Sequence, residues 1–134
     1  MNIKGVKMSL NCIMYIEDDP DIQKIVKISL EQVGKFKVII CSSGHEALNM
    51  APNLNPDLLL LDVMLPGMDG ISLLKCLRQI PQFANIPVIF MTAKSQVHEV
   101  NGYMNLGIAD VIIKPFDPMI LPQSIKNIWE RHYG

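Results

Sequence analysis

The chain has 134 residues, enough for one domain with one hydrophobic core, and 49% of them are apolar. A disordered chain would combine low hydrophobicity with a high net charge, and the formal charge here is only -1. That balance gives no global electrostatic reason to expect nucleic acid or an anionic membrane as a partner.

The three cysteines, Cys12, Cys41 and Cys76, are odd in number and show no C-x-x-C spacing. This argues against a disulfide framework or a zinc site, and each reads as a small buried or half-buried thiol in a reducing compartment. His45, His98 and His132 are far apart and read as solvated or satisfied single residues rather than a metal-binding cluster. Residues 1–11 read as a loose N-terminal extension, with no apolar run of signal-peptide length, and 12–134 as a single domain. No stretch is apolar for long enough to span a bilayer, so a cytoplasmic protein is expected.

Short apolar runs alternate with amphipathic ones. Cys12 to Ile16 reads as a first strand. Ile22, Ile25, Val26, Leu30 and Val33 then recur at helical spacing, with Gly34 as the expected C-cap. Lys37 to Cys41 is a β-branched strand, and Gly44 to Ala51 a short helix stopped near Pro52. Leu58 to Leu61 is a strand ending at Asp62. A third helix runs from Gly70 to Ile80, with Ile71, Leu74 and Leu77 on one face. Pro87 to Met91 ends at Thr92, and a fourth helix is expected from an N-cap at Ser95 to about Leu106. Val111 to Ile113 ends at Lys114. Pro122 lies where the second turn of a helix opened at Asp117-Pro118 would be, so a separate turn at 118–121 is expected, with the helix proper from Pro122 and Ile125, Ile128 and Trp129 facing inward.

A βαβαβαβαβα order argues for a parallel sheet with helices on both faces, an α/β doubly wound fold. Ligands in such sheets bind beyond the carboxyl ends of the strands. The polar residues fall at those ends: Glu17-Asp18-Asp19 after the first strand, Asp62 after the third, Thr92 after the fourth and Lys114-Pro115 after the fifth. If the strands are neighbours, several carboxylates meet one ammonium and one hydroxyl. Crowded carboxylates repel in a partly desolvated site, and a hard divalent cation such as Mg²⁺ is the simplest compensation. A nucleophile, a metal and donors for phosphoryl oxygens are what phosphoryl transfer requires. Each residue also has a plainer reading. Asp62 alone would be an N-cap or turn former, the acidic triplet a solvated turn with Asp19 as helix cap, Thr92 a cap, and Lys114 a surface charge.

The segments Glu17-Asp18-Asp19-Pro20, Leu61-Asp62-Val63-Met64-Leu65-Pro66-Gly67-Met68-Asp69-Gly70, Met91-Thr92-Ala93 and Lys114-Pro115-Phe116 together resemble, in order and spacing, the receiver domain of bacterial response regulators, and the match runs from about Cys12 to the C-terminus. The resemblance implies a flavodoxin-like (βα)5 fold, chemotaxis-regulator-like, with five parallel strands in the order 2-1-3-4-5. It implies that Asp62 is the phosphoacceptor, that Asp18 binds Mg²⁺ directly, that Glu17 acts through a bound water, and that the Met64 backbone carbonyl is a further ligand. Thr92 and Lys114 would each bond a phosphoryl oxygen, and the Lys114–Pro115 bond would be cis.

Three positions depart from the family pattern. Glu17 stands where aspartate is commoner. Val111 stands where many receivers carry an aromatic ring that swings when the threonine moves, so read-out is expected to depend on Thr92 and the loop after strand four, or on Tyr103. Met64 and Lys94 occupy positions that govern access of water to the phosphoaspartate, and Met64 cannot orient a water by hydrogen bonding. The expected function is a switch rather than an enzyme. A sensor histidine kinase or phosphotransfer protein would modify Asp62, and a face of helix four, strand five and helix five would then bind a downstream protein. With Gly134 as the last residue there is no room for a DNA-binding module unless the chain is a fragment. A receiver-like interaction module that no longer switches is the alternative. An aspartyl phosphatase would carry a second aspartate where Met64 stands.

Overall fold

The structure is a computed structural model that describes residues 9–93 and 98–133. Five parallel strands form one sheet in the order β2-β1-β3-β4-β5. They are β1 (Cys12–Ile16), β2 (Lys37–Cys41), β3 (Leu58–Asp62), β4 (Val88–Ala93) and β5 (Asp110–Lys114). The helices are α1 (Pro20–Ile28), α2 (Gly44–Met50), α3 (Gly70–Leu77), α4 (Val100–Met104) and α5 (Leu121–Tyr133).

Alternation along each strand divides the core into two layers. Met14, Leu59, Leu61, Val88 and Phe90 pack on one face with Leu73, Leu77 and Tyr103. Ile13, Tyr15, Leu58, Leu60, Ile89 and Met91 pack on the other with Val26, Leu30, Ile125 and Trp129. Both faces are covered, which is why the strands read as unbroken apolar runs.

The helices differ from expectation in four places. α1 passes into a π-helical turn, Ser29–Val33, which rotates its buried stripe. Val26 and Leu30 are buried, while Ile25 and Val33, expected to face inward, are 47% and 40% exposed. Gly34 caps that turn with a right-handed φ of -81°, and the left-handed φ falls on Lys35. Glycine is required at 34 for space, because a Cβ there would lie 2.8 Å from the Leu30 carbonyl oxygen and the Phe36 ring. α3 ends at Leu77 rather than Ile80, because Ile80 is extended ahead of a 3₁₀ turn at Pro81–Phe83. α4 is a short helix from Val100, and the expected cap Ser95 lies outside the described residues.

The last helix begins at Leu121, one residue before Pro122, after a turn at 118–120 in which the Asp117 carboxylate accepts the Met119 N–H. Ile125, Ile128 and Trp129 are buried, and the Lys114–Pro115 bond is cis. Cys41 is buried and Cys12 half-buried, but Cys76 is exposed, because it lies on the outer face of α3. Of the N-terminal segment, Leu10 packs on the second core layer and the Asn11 N–H donates to the buried Asp57 carboxylate. Residues 1–8 lie outside the described residues.

Candidate functional site

Strand parity decides which side chains meet. Glu17 follows Tyr15 by two residues, Asp62 follows Leu60, and Lys114 follows Ile112, and all three of those predecessors belong to the layer under α1 and α5. Glu17, Asp62 and Lys114 therefore share that face at the carboxyl ends of three strands. Thr92 follows Phe90, which belongs to the opposite layer with Tyr103.

The distances agree with this. Lys114 Nζ lies 2.6 Å from Asp62 Oδ2 and 3.4 Å from Glu17 Oε1. Asp62 Oδ1 accepts the Met64 N–H at 2.9 Å. Glu17 Oε1 also accepts the Tyr15 hydroxyl at 3.1 Å, and Oε2 the Asp19 N–H at 3.2 Å. Glu17 and Asp62 are buried, whereas Asp18 is exposed. Asp19 caps α1, accepting the Asp21 and Ile22 N–H groups, so the plainer reading applies to that one member of the acidic triplet. Thr92 is fully buried and hydrogen-bonded to the Tyr103 hydroxyl, which in turn donates to Glu99. The Tyr103 ring meets Phe90 edge-on at 5.5 Å.

Burial pushes the Glu17 carboxyl above its ordinary value, and the adjacent Asp62 carboxylate adds to the shift, against the opposing pull of the Asp19 N–H and Lys114. Burial acts against the Lys114 charge, but Asp62 and then Glu17 outweigh it and hold the ammonium above its ordinary value. Burial followed by the Glu99 contact pushes the Tyr103 phenol up to about 12.

Glu17, Asp18 and Asp62 each offer a carboxylate oxygen, and these oxygens lie within 4.8 Å of one another. Three carboxylates and one ammonium leave an excess of negative charge, and the donors are hard oxygens. Such a set fits a divalent cation of the Mg²⁺ class. Of the residues singled out in the sequence, the fold gathers Glu17, Asp18, Asp62 and Lys114 at one point, puts the Met64 backbone beside Asp62, and turns Thr92 toward α4.

The sequence model of the family described as "Response regulator receiver domain" matches residues 13–126. The chain belongs to this receiver family. Among curated relatives of this receiver, the alkaline phosphatase synthesis transcriptional regulatory protein PhoP of Bacillus subtilis is 38% identical over 119 residues, covering 89% of this chain and 48% of that protein. The receiver domain of the Francisella response regulator 1452 superposes with a TM-score of 0.78 at 30% identity, covering 91% of this chain and 98% of that one. The fold is also that of the chemotaxis response regulator CheY4 of Vibrio cholerae, with a TM-score of 0.80 at 23% identity over 90% of this chain and 99% of that one. The chain spans about half the length of the curated relatives it matches. Receivers are signalling phosphoacceptors of two-component systems rather than catalysts in the usual sense. Among the described residues, no helix is long and apolar enough to cross a membrane.

Two contacts escaped the sequence reading. Asp57 accepts the N–H groups of Asn11 and Cys12 from a buried position, anchoring the start of β1. Tyr15 reaches Glu17, a contact that the two-residue spacing on one strand face would have revealed.

Proposed function

We propose that this receiver accepts a phosphoryl group on Asp62 from a phosphohistidine donor, a sensor histidine kinase or phosphotransfer protein, with Mg²⁺ held by Asp18, Asp62, the Met64 carbonyl and, through water, Glu17. The observation that carries the reading is the Asp62 carboxylate itself, buried but at a strand end, with Lys114 at 2.6 Å and two further carboxylates around it. An Asp62 oxygen forms the new P–O bond as the donor's P–N bond breaks, and the electron pair leaves with the donor's imidazole, which takes up a proton. The cation, when bound, supplies positive charge for the phosphoryl oxygens and the crowded carboxylates. Lys114 orients Asp62 before transfer and pairs with a phosphoryl oxygen after it. An open apolar groove beside Lys114, lined by Ile22, Ile25, Pro115, Phe116 and Pro118, is the surface on which a protein donor would rest.

The new charge draws the Thr92 hydroxyl toward the phosphoryl group and away from Tyr103. With Val111 too small to supply a moving ring, Tyr103 carries the change into α4 and the α4–β5–α5 face, where a downstream protein binds. The test is incubation with acetyl phosphate and Mg²⁺ followed by intact-mass measurement. The expected result is one base-labile phosphoryl group, absent in Asp62→Asn. No gain in mass under conditions where Mg²⁺ binds would instead favour a non-switching interaction module.

A further inference from the structure

Glu17 is the least exposed of the clustered carboxylates, at 1%, and has one more rotatable bond than an aspartate would. Left to itself, that arm has several rotamers, and only some face Asp18 and Asp62. Three donors fix it: the Tyr15 hydroxyl, the Lys114 ammonium and the Asp19 N–H. Lys114 bonds Asp62 more closely than Glu17, and the Asp19 N–H is a backbone group that holds only the other carboxylate oxygen, Oε2. The Tyr15 hydroxyl, by contrast, donates to Glu17. Tyr15 is itself fully buried in the middle of the layer under α1 and α5, so its ring cannot swing away to solvent. Its position two residues before Glu17 puts the two side chains on the same face of the sheet.

We propose that Tyr15 is a positioning residue of the cation site, acting through Glu17: its hydroxyl holds the longer carboxylate arm toward Asp18 and Asp62 so that the three can serve one divalent cation. The inference rests on the cation reading given above. Groups that orient metal-binding side chains typically change metal affinity by about 10- to 100-fold when removed. Tyr15 loses only its hydroxyl in Tyr15→Phe, which keeps the ring and the packing.

The test is a double-mutant cycle on the full 134-residue chain. Mg²⁺ affinity is measured by calorimetry for the wild type, Tyr15→Phe, Glu17→Ala and the double variant, with thermal unfolding in EDTA to establish that each is folded. Tyr15→Phe is expected to weaken Mg²⁺ binding about tenfold in the wild-type background. In the Glu17→Ala background it should change affinity by less than about twofold, because the carboxylate it acts through is gone. An equal penalty in both backgrounds overturns the proposal, since a loosened strand would act regardless of Glu17. So does an unchanged affinity in Tyr15→Phe while the wild type binds Mg²⁺ normally. A wild type that binds no Mg²⁺ overturns the cation reading, and this inference with it.

Discussion

Replacing Lys114 by methionine keeps the side-chain stem and removes the ammonium. In the metal-free protein this leaves the buried Glu17 and Asp62 carboxylates facing each other. At an effective dielectric of about 20, ion pairs at 2.6 Å and 3.4 Å correspond to about 6 and about 5 kcal/mol of attraction. Much of this is offset by the desolvation of an ammonium whose side chain is only 22% exposed. Breaking a buried pair by removing one partner usually destabilises by about 3–5 kcal/mol, and the opening toward exposed Asp18 lowers the expectation here to about 2–4 kcal/mol. For a domain of this size that is roughly 10 °C in Tm.

The pH dependence has a definite sign. Burial and then Asp62 raise the Glu17 carboxyl above its ordinary 4.5. Its ionisation therefore destabilises the fold: the penalty is absent below pH 4.5 and sets in as the pH rises through the folded value. Lys114 is one of the influences that restrain this shift, so its loss enlarges the penalty. Because the Lys114 pKa is itself raised, its stabilising contribution persists past its ordinary 10.5 and is lost only above that. Urea unfolding of wild type and Lys114→Met in EDTA should therefore show a deficit that is wide at neutral pH and narrow near pH 4. Saturating Mg²⁺ should shrink the neutral-pH deficit. Equal stability of the two proteins at neutral pH in EDTA, or a deficit indifferent to both pH and Mg²⁺, would refute the reasoning.

Tyr103→Phe removes the hydroxyl that bonds Glu99 and Thr92. It should cost about 1 kcal/mol in chemical unfolding, leave acetyl phosphate labelling of Asp62 intact, and blunt the phosphorylation-induced amide shifts in α4; full-sized shifts would dismiss Tyr103 as the relay. Gly70→Ala puts a Cβ 2.9 Å from Val63 Cα and 3.0 Å from the Asp62 carbonyl oxygen, both backbone atoms. A loss of about 2 kcal/mol together with slower labelling is expected, and unchanged stability would show that α3 can retreat freely. Met64 is 59% exposed, and its thioether is only a weak hydrogen-bond acceptor, which orients a water poorly. The phosphorylated protein should therefore last minutes or longer, and a half-life of seconds after removal of the donor contradicts this. Burial, followed by Glu46, raises the Cys41 thiol to about 11, whereas Cys76 is exposed. A thiol reagent at pH 8 should modify Cys76 well before Cys41, as peptide mapping would reveal; equal rates would mean that the β2 end opens readily.

The strands and the positions of the candidate site were legible in the sequence because parallel strands covered on both faces must be continuously apolar. The first polar residue after each run then marks the sheet's carboxyl edge, which is how Glu17, Asp62, Thr92 and Lys114 stood out before any contact was known. The turn before α5 was legible for a similarly local reason, since Pro122 cannot donate a backbone hydrogen bond. The inward face of α1 was legible only in part: the π turn at Ser29–Val33 breaks the helical spacing and leaves Val33 40% exposed, while Ile25, one turn earlier, lies on the flank of the stripe that buries Val26 and Leu30. The positive φ at Lys35 was equally hidden, because Gly34 is held by crowding from Leu30 and Phe36 rather than by its backbone angle. What only the tertiary structure decided was the pairing at the site. Strand order and parity set Lys114 against Asp62 and Glu17, while Thr92 is turned to the far side of the sheet against Tyr103. Those contacts join residues from strands and helices distant in sequence, and their distances exist only once the sheet has assembled.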